Sequence, residues 1–140
     1  MIAGELMTPD PTIVTPEATV AEVWDLMRDL DIRHIPVVQG QTLVGLVSDR
    51  DLAHIDMGSI LATEGADVLR QALATRVVKV MSADVISADT DMELVDIVGL
   101  LIEHKVGALP IVRPGTQEIV GIVSYIDVLK VVQTSLQEGE

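Results

Sequence analysis

The chain has 140 residues and a formal charge of −13, because 9 Lys and Arg stand against 22 Asp and Glu. With so few basic residues, one Trp, one Tyr and no Phe, it lacks groups that neutralise phosphates and stack on bases, so nucleic-acid binding is not expected. It has no Cys, which excludes disulfides and thiolate catalysis, and no apolar run long enough to span a membrane. We expect a cytoplasmic protein with an aliphatic core and no membrane contact.

The first predicted elements are a helix and a hairpin. Thr19 and Glu22 form a capping-box pattern, and apolar residues follow them at helical spacing. Two short β-branched runs, residues 35–38 and 43–48, lie on either side of a Gly-containing turn, which is typical of a hairpin. Their nearly continuous apolar content predicts strands that are buried on both faces.

A helical connection is predicted after the hairpin. A second helix is expected from Asp51, and residues 53–75 link it to the rest of the chain. Within this link, residues 68–73 predict a helical stretch, and Gly58 and Gly65 are expected to act as breaks.

The second part of the chain repeats the first. Residues 43–51 return as residues 119–127 with five of nine positions identical, and residues 32–38 return as residues 106–112. The offset is 74 residues before the turn and 76 after it, because the second turn is two residues longer. Such internal repetition indicates a tandem architecture.

The second copy differs from the first in its helices. Its capping-box pattern, Thr90 with Glu93, lies one turn earlier, which predicts a slightly longer helix. Another helix is expected from Asp127 onward. Met7 and Met81 are also related by the offset of 74, and we expect them to line or pack a ligand cleft.

Neither copy can close a core alone, since a hairpin with two helices leaves one face of its sheet bare. We therefore expect an α+β fold in which the two repeats pack together with pseudo-two-fold symmetry. The first repeat with its connecting segment is predicted at residues 1–66, and the second repeat at residues 67–140.

A Gly-x-x-Ser-x-x-Asp segment occurs once in each copy, at residues 45–51 and 121–127. A Ser followed by Asp three residues later caps a helix, which is a purely structural role. The same position suits a phosphate, because free amides and the helix dipole favour an anion there, and a nearby carboxylate can accept the hydroxyls of a ribose. The strand glycine would allow a ligand to approach closely. Capping and binding are compatible, and we expect both.

These segments, together with the Ile-Pro-Val-Val strand at residues 35–38, resemble a tandem pair of cystathionine-β-synthase (CBS) domains, the Bateman module. The resemblance extends from Leu6 to Val132. It implies two β-α-β-β-α units that often dimerise into a flat disc. It also implies a regulatory role without catalysis, in which an adenosine-containing ligand (AMP, ADP, ATP or S-adenosylmethionine) is bound and a partner protein, here unknown, is regulated. We expect a homodimer, no other cofactor and no resident metal.

The resemblance also implies the site residues. The ribose would be bound by Asp51 and Asp127, and phosphate by Ser48 and Ser124, with Arg33 and His34 as basic phosphate contacts. The adjoining strand residues Ile35 and Pro36, and Ala108, Leu109 and Pro110 in the second copy, would line the clefts. Backbone near Ile13 and Val85 would contact the base.

The two clefts are not expected to be equivalent, because the second copy has Gly107 and Ala108 where the first has Arg33 and His34. In the family, the ribose Asp of one repeat often faces the segment before the strand of the other. Ser124 and Asp127 would then share a cleft with Arg33 and His34, and Ser48 and Asp51 would share one with Gly107 and Ala108. The first of these clefts has the better phosphate chemistry.

Other functions stay open. The chain could be a structural or dimerisation module with degenerate ligand sites, or a Mg²⁺-sensing CBS module. Asp49, Asp51 and His54 also suit a metal site rich in oxygen ligands, although this spacing is common on protein surfaces. An enzyme is not expected, since neither a Gly-x-Ser-x-Gly elbow nor a Walker-type Gly-Lys-Ser/Thr segment is present.

Overall fold

The computed structural model describes residues 1–139 and divides the chain into two compact units. The first-repeat unit contains residues 12–85, and the second-repeat unit contains residues 1–11 together with residues from Ile86 onward. Within residues 1–139, no helix combines the length and apolar character that crossing a membrane requires.

Seven helices and six strands are assigned within the described residues. In chain order they are α1 (Ala3–Leu6), β1 (Thr8–Pro9), α2 (Val20–Leu30), β2 (His34–Gln39), β3 (Thr42–Ser48), α3 (Asp49–Leu52), α4 (Met57–Thr63), α5 (Ala66–Leu73), β4 (Ala88–Asp89), α6 (Leu94–His104), β5 (Ala108–Val112), β6 (Ile119–Ser124) and α7 (Tyr125–Glu138). A short 3-10 turn covers Val77–Lys79.

The first-repeat unit is built on the antiparallel β2–β3 hairpin. Helix α2 begins at the predicted capping box, in which the Glu22 N–H donates to Thr19 Oγ1 and the Thr19 N–H donates to the Glu22 carboxylate, both at 3.2 Å. Apolar residues of α2 and the hairpin form the buried core, which includes Val20, Val23, Met27, Ile35, Val37 and Val47. The predicted helix and hairpin are both confirmed.

The second-repeat unit contains a four-stranded sheet in the order β1-β6-β5-β4. Strand β1 runs antiparallel to β6, and β4 runs parallel to β5. Its core is formed by α1, β4, α6 and the β5–β6 hairpin. The buried core residues are Ala3, Ala88, Ile97, Leu101, Leu109, Ile111 and Val123.

The compact units do not divide at the repeat boundary expected between residues 66 and 67. Residues 1–11 pack with the second repeat because Thr8 pairs with Ile122 of β6, and the matching pair in the first-repeat unit is Ser82 with Leu46 of β3. The segment that precedes each predicted helix therefore completes the sheet of the other repeat's hairpin. The boundary expected between residues 66 and 67 stays a prediction about the sequence repeat, whereas the compact units combine segments from both copies.

The prediction of a longer helix in the second copy is wrong. Helices α2 and α6 both have 11 residues, and α6 begins after Glu93 without a side-chain cap. The N-terminal segment instead hydrogen-bonds along the turn before α6: the Gly4 N–H donates to the Thr90 carbonyl at 2.9 Å, and the Ala3 N–H donates to the Met92 carbonyl at 2.8 Å. These contacts hold the turn outside the helix.

Burial on both faces holds for only one strand of each hairpin. Residues 35–38 of β2 and all of β5 are buried, whereas most of β3 and the second half of β6 alternate between buried and half-buried positions. The half-buried positions of the second strand alternate with its buried positions and therefore lie on one face.

The helical connection is also more divided than predicted. The helix expected from Asp51 is the four-residue α3, whereas its counterpart α7 continues for 14 residues. Gly65 acts as a break, because it precedes α5 with a φ of +93° that other residues rarely adopt. Gly58 lies inside α4 and is not a break.

Candidate functional site

Ser48 and Asp51 form a closed hydrogen-bonded pair at the junction of β3 and α3. The Ser48 N–H donates to Asp51 Oδ2 at 2.8 Å, and the Ser48 hydroxyl donates to the same oxygen at 3.1 Å. The Asp51 N–H donates to Ser48 Oγ at 3.3 Å. Within residues 1–139, Asp51 Oδ1 accepts no hydrogen bond from the protein, so the half-buried carboxylate keeps an acceptor for a ligand.

Ser124 and Asp127 repeat this geometry at the junction of β6 and α7. The three corresponding distances are again 2.8, 3.1 and 3.3 Å. In the described part of the chain, Asp127 Oδ1 is likewise left without a hydrogen-bond donor. The predicted capping role is therefore confirmed in both copies, and it uses only one oxygen of each carboxylate.

The segment before each first strand lies beside the corresponding helix start. His34 is the cross-strand partner of Ser48, and the Asp49 N–H donates to the Arg33 carbonyl at 2.9 Å. In the second-repeat unit, Ala108 is the partner of Ser124, and the Tyr125 N–H donates to the Gly107 carbonyl at 3.0 Å. The backbone arrangement is thus the same in both units.

The side chains at these positions differ between the units. Arg33 Nη1 lies 3.3 Å from Asp49 Oδ2, and both side chains are exposed. Tyr125 and Gly107 stand in their places in the second-repeat unit and carry no charge. The ion pair shows that Arg33, and not the neighbouring Arg50, is the partner of Asp49.

Burial lowers the pKa of His34 from its ordinary value of 6.5, and the nearby carboxylates of Asp49 and Asp51 oppose this effect without cancelling it. His34 is therefore a neutral imidazole at pH 7. It can donate one hydrogen bond to a ligand, and the positive charges near it belong to Arg33 and Arg50.

The other predicted site residues differ in accessibility. Ile35 and Pro36 are buried, and so are the second-copy residues Ala108, Leu109 and Pro110. These residues belong to the buried hairpins, and the Pro36 carbonyl already accepts a hydrogen bond from the Val14 N–H at 3.1 Å. Their expected role as cleft lining stays a prediction. Ile13, which precedes the edge residue Val14, is exposed, and Val85 is half-buried.

The space next to the strand glycine of each motif is filled by a methionine side chain. A Cβ added at Gly45 would collide with the Met81 side chain, and one added at Gly121 would collide with Met7. The predicted close approach at these glycines is therefore made by the protein itself. Met7 and Met81 contact the strands at these glycines, and their expected position at a ligand cleft stays a prediction.

The structure brings Arg33 and His34 together with Ser48 and Asp51 inside the first-repeat unit. The expected grouping of Arg33 and His34 with Ser124 and Asp127 stays a prediction. Sequence reasoning missed the Arg33–Asp49 ion pair, although the hairpin register that pairs His34 with Ser48 was sufficient to place these neighbours together. Asp49, Asp51 and His54 do not form a group suited to a metal ion, and no such group occurs within residues 1–139.

A half-open cavity of about 360 Å³ lies next to the Arg33–Asp49 pair. Trp24 and Leu52 contribute apolar lining, and Trp24 packs partly buried against the core of the first-repeat unit. Arg33 and Asp49 also line this cavity, so the ion pair is accessible from it.

Comparison with known proteins identifies the family. The CBS domain profile matches the chain twice, at residues 3–58 and 77–134. The CBS domain-containing protein YhcV of Bacillus subtilis is 32% identical over 123 residues, which cover 88% of this chain and 79% of YhcV. The inosine-5′-monophosphate dehydrogenase of Methanocaldococcus jannaschii is 30% identical over 91% of this chain, but the match spans only 23% of the dehydrogenase.

Two solved structures share the fold over nearly the whole chain. The AcuB protein of Vibrio cholerae superposes with a TM-score of 0.82 at 28% identity, covering 99% of this chain and 96% of AcuB. CBSX2, solved in complex with AMP, superposes with a TM-score of 0.77 at 26% identity, covering 99% and 98% of the two chains. With both repeats matched by the family profile, this chain belongs to the CBS-domain family and is a tandem CBS pair, a regulatory module.

Proposed function

We propose that this CBS pair senses an adenosine-containing ligand and communicates its presence to a partner protein. Asp51 and Asp127 accept hydrogen bonds from ribose hydroxyls, and Ser48, Ser124, Arg33 and His34 contact the 5′ substituent. The ligand is AMP, ADP, ATP or S-adenosylmethionine, and the working form is a homodimer.

The observation that carries this proposal is the pair of identical Ser–Asp arrangements. Each carboxylate is held by two donors on Oδ2, while Oδ1 accepts no bond from residues 1–139. Capping alone needs one carboxylate oxygen, so the second is available at a fixed position in both copies. A fixed, partly buried carboxylate is suited to a sugar hydroxyl because little side-chain freedom is lost on binding.

The helix α7 adds a favourable site for negative charge. Its 14 residues begin at Ser124, and the amides of its first turn and its dipole favour an anion near that residue. CBSX2 supports the choice of ligand class, since it shares the fold at 26% identity and was solved with AMP.

Calorimetry with adenosine and AMP tests the proposal. Ligand at 100 times its dissociation constant stabilises a protein by about 2.7 kcal/mol, so thermal unfolding should shift upward by several degrees. Asp127→Ala should weaken adenosine binding at least tenfold at its site, because the ribose hydroxyls lose a charged acceptor worth about 1.5–3 kcal/mol. Asp51→Ala tests the other copy in the same way.

Ser124→Ala is the matched control for Asp127→Ala. It breaks the same capping arrangement but keeps the carboxylate, so adenosine, which has no phosphate, should still bind within about threefold of the unmodified protein. Equal losses in the two variants would indicate a structural role alone. If neither adenosine, AMP nor S-adenosylmethionine binds, the proposal fails, and titration with MgCl₂ alone then distinguishes the Mg²⁺-sensing alternative from a dimerisation module.

A further inference from the structure

We propose that Asp49 determines which adenosine ligands bind beside Arg33. By neutralising Arg33, it favours ligands whose 5′ substituent is uncharged or cationic over ligands that carry phosphate. The inference rests on the proposed function, in which Arg33 faces that substituent.

The contact between the two side chains is fixed by the backbone around them. Arg33 Nη1 lies 3.3 Å from Asp49 Oδ2. The Asp49 N–H donates to the Arg33 carbonyl at 2.9 Å, and the adjacent residues His34 and Ser48 are cross-strand partners. The carboxylate is therefore held next to the guanidinium by the hairpin register and not only by mutual attraction.

Asp49 is not needed for the backbone arrangement itself. The second-repeat unit makes the same backbone contact between Tyr125 and Gly107, at 3.0 Å, without a charged side chain. Capping of α3 is supplied by Ser48 and Asp51. The carboxylate of Asp49 is thus required neither for this backbone contact nor for the side-chain capping of α3.

The local charges explain what that carboxylate does to a ligand. Arg33 and Arg50 contribute two positive charges near His34, and Asp49 and Asp51 contribute two negative charges, so the cluster is neutral overall. A phosphate must compete with Asp49 for Arg33 and is also repelled by the carboxylate. A sulfonium or ammonium group is instead attracted to Asp49.

Calorimetry on Asp49→Asn, with AMP, adenosine and S-adenosylmethionine as probes, tests the inference at low ionic strength. The affinity for AMP relative to adenosine should rise by about tenfold, because one repulsive charge is removed and Arg33 is released from its partner. The affinity for S-adenosylmethionine should fall by about threefold. These opposite changes distinguish a charge effect from a general loss of stability.

Asp25→Asn is the matched control, since it removes the same charge from an exposed ion pair with Arg28 in the same unit. It should leave the AMP-to-adenosine ratio within about twofold. A rise of less than about threefold in Asp49→Asn, or an equal rise in both variants, overturns the inference. If adenosine binds and the ratio is unchanged, only the role of Asp49 fails; if no adenosine ligand binds the unmodified protein, the proposed function fails and the inference fails with it.

Discussion

Two identical side-chain arrangements in this chain have different chemical neighbours. Ser48 with Asp51 and Ser124 with Asp127 have the same three hydrogen-bond distances. Asp49 and Arg33 lie beside the first pair, whereas Tyr125 and Gly107 take the corresponding positions beside the second. Capping geometry is therefore duplicated, whereas the charges at these two positions differ between the repeats.

His34 should make the stability of the protein depend on pH. Burial lowers its folded-state pKa below 6.5, so the unfolded chain binds more protons than the folded chain just below that pH. The stabilisation is fully present above the unfolded pKa, and it is lost as the pH falls through 6.5 toward the folded pKa. Thermal unfolding between about pH 8 and pH 5.5 should show this decline, and His34→Gln should reduce it.

The comparison at about pH 8 serves as the control for this substitution, because the imidazole is neutral there in both states. Any difference in stability at that pH reports packing rather than titration. Parallel pH profiles for His34→Gln and the unmodified protein would show that His34 does not contribute to the pH dependence.

At the scale of the elements, the two strand glycines that contact methionines should differ in how well they tolerate substitution by alanine. At Gly121, an added Cβ would lie 2.8 Å from Cγ and 3.0 Å from Cβ of Met7. These two atoms are close to the Met7 backbone and cannot easily move away. At Gly45, it would collide mainly with the flexible end of Met81, whose Cε lies at 3.0 Å. We expect Gly121→Ala to cost about 2–3 kcal/mol of unfolding free energy and Gly45→Ala about 1 kcal/mol or less.

Chemical denaturation measures both substitutions, and shortening each methionine provides the control. Met7→Ala should rescue part of the cost of Gly121→Ala, so that the double variant is more stable than the sum of the single effects predicts. Strict additivity would mean that the contact is not the source of the strain. A larger cost at Gly45 than at Gly121 would contradict the predicted order.

The elements themselves were largely predictable, because their signals are local. The Thr19–Glu22 capping box and both hairpins were identified from adjacent residues, and the structure contains them. The Thr90–Glu93 pattern failed because the Gly4 and Ala3 N–H groups, which are distant in sequence, hydrogen-bond to the carbonyls of Thr90 and Met92 in the turn before α6. The exchange of segments that pairs Thr8 with Ile122 is likewise a long-range choice that no local periodicity encodes.

The candidate site was predictable to a similar extent. Repetition identified Ser48, Asp51, Ser124 and Asp127, and their hydrogen bonds follow the capping pattern. The Arg33–Asp49 pair was missed because exposed side chains that are 16 residues apart are brought together only by the hairpin register. The same register shows why His34 is partly buried and therefore neutral at pH 7.

At the scale of the whole molecule, a charge of −13 makes association of two copies dependent on a surface with little charge. Helix α7 offers such a surface. Three of its 14 residues are charged, and its exposed apolar side chains follow the i, i+4, i+7, i+11 spacing that suits packing against another helix. These side chains are Tyr125, Leu129, Val132 and Leu136.

We expect the protein to sediment at about twice its chain mass of 15.0 kDa, with α7 in the interface between copies. Leu129→Asp should shift it toward the monomer, because a buried, unpaired carboxylate costs several kcal/mol. Leu61→Asp is the matched control: Leu61 is 53% exposed on α4 and Leu129 is 54% exposed on α7, so the two changes place the same charge on equally exposed positions.

Association should also strengthen as salt rises from about 20 mM to about 300 mM, since repulsion between two acidic copies is screened. A monomer throughout that range would contradict the homodimer, whereas a dimer disrupted by Leu61→Asp and not by Leu129→Asp would place the interface on a different helix.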